Sequence, residues 1–223
     1  MMAIHSLKAI EADLPGAFLK RYPACGNVRM VGILFAHPDS PLAKSEIVPR
    51  LKYFHQLSDN HITFYCAGYG TEGEDLENAK EVANINENIW QFSDRAFIKT
   101  YKEFEKRTGL KYSGGVDLVL ANAQFNPGKK TAQLDFLSTI FLQLDGMKAD
   151  GAILSIEQFF MRIITYSSSA KNNDPTWGFS HEQIKRASGS ALKRVILSFL
   201  PKGLAKDYNK LEHFAIKVTA QTA

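Results

Sequence analysis

The chain has 223 residues, 45% of them hydrophobic and 22% charged, which fits one domain or one domain with an appendage. No apolar run approaches the ~20 residues needed to span a bilayer, and the opening MMAIHSLKAIEADLPG lacks the continuous apolar segment of a secretory signal, so the expected location is cytoplasmic. A net charge of +4 is too small an excess to argue for nucleic acid.

That charge is unevenly placed. Residues 1–150 hold 17 Lys/Arg and 18 Asp/Glu, while residues 151–223 hold 10 and 5, so attraction to an acidic partner is expected from the C-terminal third. The two cysteines, Cys25 and Cys66, make no disulfide framework, and no Cys/His spacing resembles a zinc site. Cys66 falls in the apolar run HITFYCAGY and reads as a buried free thiol.

In chain order, residues 5–20 read as a short helix limited by Pro15. VRMVGILFA, 28–36, is an apolar run of strand length. A helix follows, with Ser40 placed to cap it and Pro41 at its first position, where a missing N–H costs nothing. Ile47, Leu51 and Phe54 mark its buried face, and Pro49 removes a backbone hydrogen bond mid-helix and should bend it. HITFYCAGY, 61–69, reads as a second strand. Residues 70–91 are acidic and weakly patterned, and read as a long loop with a short helix around 75–83.

Ser93 opens a helix to about Arg107 with Ala96, Phe97, Tyr101 and Phe104 on its apolar face, closed by Gly109. VDLVLANAQF, 116–125, and TAQLDFLSTIFLQL, 131–144, are joined by NPGK and read as an antiparallel hairpin. Ser155 and Gln158 are spaced as a capping box for a helix through Phe159, Ile163 and Tyr166. After the polar connector SSSAKNNDPTWGFS, a second box, Ser180 and Gln183, opens a basic amphipathic helix over 181–199. HFAIKVTA near the end reads as a short strand or an extension.

This order of elements resembles the core of the thioredoxin-like superfamily over roughly residues 28–168, and EIVPRLKYF carries a proline inside the first core helix as that family does. The expected fold is α/β: a thioredoxin-like mixed sheet flanked by helices over 1–168, then a basic helical extension over 169–223. Aligning Pro49 with the family's helix proline puts the two redox thiol positions at Pro41 and Lys44, neither of which exchanges a disulfide. The approach to the third core strand, YSGGVDLV, has Gly114 and Gly115 and no proline where the family keeps a cis-proline. The resemblance therefore implies the fold without dithiol chemistry.

Three further motifs bear on function. AHPDS is similar to the start of the zinc-dependent N-acetylglucosaminyl deacetylase family, where a strand ends in His-Pro-Asp-Asp. That resemblance implies His37 as a zinc ligand and Asp39 as general base. The family's second aspartate, however, is Ser40 here, a poor substitute for an anionic oxygen. The alternative is that Ser40 caps the helix while His37 and Asp39 line the turn before it. GYGTEG satisfies G-x-G-x-x-G, but Glu72, Glu74, Asp75 and Glu77 crowd the place a phosphate would occupy, so it reads as a loop. The basic helix, with Lys185, Arg186, Lys193 and Arg194 off its apolar stripe, suits partner contact or a stripe packed on the domain with its cations solvated, and Trp177 just before it suits an interface anchor or a place in the core.

The expected function is a non-redox binding or accessory protein, an adaptor or sensor subunit whose partner is another protein; self-association is left open. No cofactor, metal or catalytic residue is assigned. The ligand-site candidates are His37, Asp39 and Ser40, because clefts form where strands end in such sheets. The partner-site candidates are Trp177, Lys185, Arg186, Lys193 and Arg194. The alternative is a hydrolase with a degenerate deacetylase-like His-Pro-Asp turn.

Overall fold

The computed structural model describes residues 1–21, 26–58, 61–71, 79–149, 151, 153–169, 174–179 and 215–217. In chain order these form β1 (Met2–Ile4), α1 (Leu7–Arg21), β2 (Val28–Phe35), a helical stretch over 41–58 that ends as α2 (Leu51–Ser58), β3 (Thr63–Ala67) and β4 (Tyr69–Gly70). Then come β5 (Lys80–Ile85), β6 (Asn88–Phe92), α3 (Asp94–Thr108), β7 (Asp117–Asn126), β8 (Thr131–Gln143), α4 (Leu144–Ala149), α5 (Ile156–Ser169) and β9 (Ala215–Lys217).

β2 is buried from Arg29 to its end, so its apolar residues face a core on both sides and place it centrally. It pairs in parallel with β3 and antiparallel with β7. The sheet continues to β1 beyond β3, in parallel, and to β8 and β9 beyond β7, both antiparallel, giving the order β1-β3-β2-β7-β8-β9. The architecture is thus mixed α/β, with a sheet of mixed direction and helices on its faces.

Each face has its own aromatic core. On one, Phe160 of α5 packs at 4.9 Å from Phe54 and 4.6 Å from Phe64. On the other, Phe104 of α3 lies 5.5 Å from Phe35 and 6.2 Å from Phe141. Gly32 of β2 makes room for the first of these. A Cβ there would stand 2.3 Å from the Phe64 ring, which is itself fully buried. Gly32→Ala is expected to cost about 2 kcal/mol by overpacking, read as a lower urea midpoint with an unchanged slope.

Several sequence signals act as expected. Ser93 Oγ accepts from the Ala96 N–H at 3.3 Å, and Gly109 closes α3 with φ 74°. Ser155 Oγ accepts from the Gln158 N–H at 3.2 Å. The hairpin of β7 and β8 turns through 127–130, and Ile47, Leu51 and Phe54 are buried. Pro49 does more than bend its helix. It cannot donate to the preceding turn, and the ladder widens to a π turn over Ala43–Ile47, tightens to a 3-10 turn over Val48–Arg50, and only then becomes α2.

Three readings are corrected. The stretch 80–92 is a hairpin of β5 and β6, with neither loop nor helix over 80–83. Its two-residue turn, Asn86 and Glu87, takes positive φ at both positions, the mirror-image geometry that suits a twisted hairpin. The run 61–69 is two strands: Gly68, at φ 82°, breaks it, and β4 leaves the main sheet for a second one ordered β4-β6-β5. Ser40 does not cap through its hydroxyl, which donates backward to the His37 carbonyl at 2.9 Å; the Ser40 carbonyl accepts the Lys44 N–H at 2.9 Å.

The second capping box and the basic helix over 181–199 lie outside the described residues. Residues 174–179 pack onto the sheet: Thr176 and Phe179 are buried, and Phe179 meets Tyr166 at 5.2 Å. A polar network fixes them. The Asp174 carboxylate accepts from Asn122 Nδ2 at 2.8 Å and from Ser138 Oγ at 2.5 Å, while Asn122 Oδ1 accepts from the Thr176 N–H at 3.2 Å. Ser138 lies where β8 bulges against β7, between the Ala121 and Asn122 pairings.

Candidate functional site

β2 ends at Phe35, and the next five residues make a turn held from three directions. The Tyr69 hydroxyl, from β4, donates to the Ala36 carbonyl at 2.8 Å. The imidazole of His37 stands against Phe92 and Phe97, at ring separations of 4.8 and 5.8 Å. The Asp39 carboxylate faces Lys80 of β5 at 3.9 Å, across an exposed gap.

Both imidazole nitrogens are occupied. The Asp39 N–H donates to Nδ1 at 3.2 Å, and Nε2 meets Asp94 Oδ1 at 2.8 Å. A nitrogen that accepts from an amide carries no proton, so Nδ1 is the acceptor and the ring proton belongs on Nε2, donated to Asp94. Asp94 is well placed for this: it opens α3 directly after the Ser93 cap, where the helix dipole favours a carboxylate. The structure thus brings His37, Asp39 and Ser40 into one turn and adds Asp94, Lys80 and Tyr69. The only sequence signal for Asp94 was its position after Ser93.

This arrangement does not suit zinc. An available ligand nitrogen would require breaking either the Asp39 or the Asp94 bond, Asp39 faces a lysine, and the Ser40 hydroxyl points back to the turn. Among the described residues, no group of three or more His, Cys, Asp or Glu side chains is placed to hold a metal ion.

A second polar cluster lies in the approach to β7. Asp117 is fully buried and accepts from the Ser113 N–H at 2.8 Å and from Ser113 Oγ at 2.6 Å. Burial lifts its carboxyl from 3.8 to about 6; the Ser113 donors pull it down and the nearby Asp145 charge lifts it further. Asp145 accepts from the Val116 N–H at 2.5 Å, and the Tyr112 hydroxyl donates to the Gly115 carbonyl at 2.7 Å. Tyr112 joins the two clusters: its ring lies 5.4 Å from Phe97, the residue under His37. With both its oxygens taken by Ser113, Asp117 shapes the 112–116 loop.

Cys66 is fully buried, and desolvation pushes its thiol up to about 12. Alkylation followed by peptide mass mapping is expected to leave Cys66 unmodified in the native protein and modified in denaturant. Of the partner-site candidates, Trp177 is half-buried against the core, and its backbone N–H donates to Asp174 Oδ1 at 2.9 Å. Lys185, Arg186, Lys193 and Arg194 lie outside the described residues.

No protein-family model matches this chain, and no curated protein or solved structure matches it either. Among the described residues, no helix is long and apolar enough to cross a membrane.

Proposed function

We propose that this chain is a non-redox binding or accessory protein, an adaptor or sensor subunit built on a thioredoxin-like sheet. The observation that carries the reading is the strand order β1-β3-β2-β7-β8, with β7 antiparallel to its neighbours, combined with what stands at the end of β2. That order resembles the thioredoxin-like arrangement, in which the chemistry sits after the central strand. Here that place carries Pro41 and Lys44 in the thiol positions, while His37 has both nitrogens committed to the scaffold.

The rival hydrolase reading requires a free base or a metal ligand in the same turn. A His–Asp pair is the usual start of such a site, but its distal nitrogen must face substrate. In this chain it faces the Asp39 amide. The binding reading has no such obstacle, and it fits a C-terminal third with excess positive charge.

The test is affinity capture with the full chain from the cells that make it, comparing wild type with a variant in which Lys185, Arg186, Lys193 and Arg194 are all changed to glutamate. A stoichiometric protein partner retained by wild type and lost from the variant is the expected result. A partner retained equally by both removes the basic residues from the proposal. Absence of any saturable partner, together with hydrolytic turnover lost in His37→Asn, overturns the binding reading.

A further inference from the structure

The turn after β2 ties a titratable ring to a backbone amide, and one of its bonds fails when that ring is charged. The Ser40 N–H donates to the His37 carbonyl at 2.9 Å, so residues 37–40 form a β-turn with Pro38 and Asp39 at its centre. Pro38 has no N–H. The central amide is that of Asp39, and it donates to His37 Nδ1 at 3.2 Å. This bond requires a bare Nδ1.

An imidazolium is a donor at both nitrogens. Protonating His37 sets Nδ1–H against the Asp39 N–H, donor against donor. Nε2 keeps its bond to Asp94 at 2.8 Å and gains an ion pair. The ring cannot step aside, because Phe92 of β6 and Phe97 of α3 stand 4.8 and 5.8 Å from it and Asp94 holds its far nitrogen. Three further titratable or charged groups face the turn. They are Asp39 itself, Lys80 of β5 at 3.9 Å from the Asp39 carboxylate, and Tyr69 of β4, whose hydroxyl donates to the Ala36 carbonyl. Of these contacts, the Asp39 amide is the one the proton repels.

The peptide carrying this amide can turn over without opening the β-turn. Rotating the Pro38–Asp39 peptide by about 180° interconverts type I and type II turns and keeps the bond between residues 37 and 40. Proline suits the second position of both forms. Asp39 has a negative φ, as type I requires, whereas type II needs a positive φ there. Glycine meets that need best, and aspartate is among the residues that tolerate it.

We propose that the His37 turn is a proton-operated switch: charging His37 turns the Pro38–Asp39 peptide over, and the Pro38 carbonyl replaces the Asp39 N–H at Nδ1. The proton comes from solvent and forms an N–H bond at Nδ1. The turnover moves the Asp39 nitrogen about a fixed Cα, so the Asp39 side chain is redirected and its contact with Lys80 opens. Asp39 and Lys80 are 71% and 70% exposed, so little holds that pair together. Acid thereby releases the end of β2 from the β5–β6 hairpin. Imidazole changes charge between about pH 5 and 8, a range that cells reach. The switch needs no partner, so it stands or fails apart from the binding reading above.

The test is a nuclear magnetic resonance titration of the isotope-labelled full chain from about pH 8 to about pH 5. It follows the His37 ring nitrogens, the Asp39 amide proton and the Pro38 carbonyl carbon. Expected is one shared transition: Nδ1 gains a proton, the Asp39 amide proton moves upfield as it loses its acceptor, and the Pro38 carbonyl moves downfield as it gains a donor. Asp94→Asn, which removes the ion pair, is expected to move the transition to lower pH. Asp39→Gly and Asp39→Ala both lack the carboxylate and differ in their tolerance of positive φ. The glycine variant is expected to switch about one pH unit higher than the alanine variant. Asp117→Asn is expected to leave the transition in place, which separates it from the carboxyl that titrates at about 6 in the second cluster. A ring that charges while the Asp39 amide and Pro38 carbonyl stay unchanged overturns the proposal. So does a ring still neutral at the acid end, a transition abolished by Asp117→Asn, or equal midpoints in the glycine and alanine variants.

Discussion

Gly68→Ala is expected to cost the protein about 2–5 kcal/mol. Gly68 holds φ 82°, and a Cβ there would stand 2.6 Å from Phe97 Cβ and 2.9 Å from the Phe97 backbone. The left-handed conformation costs a residue with a side chain about 1–2 kcal/mol, and overpacking adds about 1–3 kcal/mol. Nothing nearby yields cheaply, since the obstacle is the first turn of α3. Gly68 also ties three elements: its N–H donates to the Ile4 carbonyl, and its carbonyl accepts from Ser93, both at 2.9 Å. Displacing it moves the cap of α3 and with it Asp94 beneath His37. Chemical denaturation is expected to show the loss, and a variant within about 1 kcal/mol of wild type would mean that the crossing between the two sheets is not as tight as described.

The second large effect is a pH dependence. Asp117 is protonated more readily in the folded chain, from 3.8 to about 6, chiefly because burial disfavours its charge. A raised carboxyl means that the folded state holds the proton more tightly than the unfolded state. Stability from this group is therefore greatest below about 4, falls as pH rises through about 6, and is level above that. At about 1.4 kcal/mol per unit, the fall is about 3 kcal/mol. Asp117→Asn keeps an acceptor for the Ser113 N–H and offers Ser113 Oγ a donor, without a charge to bury. The difference between the urea midpoints of wild type and variant, followed over this window, reads Asp117 together with the Asp145 charge that acts on it, and cancels the acids remote from both. The variant is expected to gain on wild type as pH rises; parallel curves would contradict the burial.

What the sequence made legible was whatever carried a chemical marker. Ser93 and Gly109 bracket α3, Pro127 and Gly128 lie in the β7–β8 turn, and Ser155 starts α5, because caps and turns need particular side chains at particular atoms. The mixed sheet followed from those elements and the apolar run of β2. The β5–β6 hairpin was hidden for the opposite reason. β5 buries only its last residue, so it lacks the alternation that reveals a strand, and its turn uses Asn86 and Glu87 where Asn-Gly would have been a clear signal. Gly68 looked like one glycine in a loop motif, yet it is the point where the chain changes sheets. β1 is three residues long, too short for any period to show.

The site was half legible. His37, Asp39 and Ser40 are neighbours in the chain, so the turn could be named from the sequence alone. Their hydrogen bonds could not. Asp94 is 57 residues from His37, and Lys80 reaches Asp39 only because an unforeseen hairpin lies beside the turn. The backward donation of the Ser40 hydroxyl looks the same in sequence as a forward cap, since both use the same residue in the same place.

The account depends on the His37 ring being a pinned part of the scaffold, so its nitrogens are where to look. A long-range proton–nitrogen correlation spectrum of the imidazoles, recorded at alkaline pH, reads the tautomer directly. The expected result is a His37 ring protonated at Nε2 and bare at Nδ1, with the Nε2 signal shifted in Asp94→Asn. A ring protonated at Nδ1, or one exchanging freely between the two forms, would leave a nitrogen available for proton transfer or metal and would contradict the scaffold role.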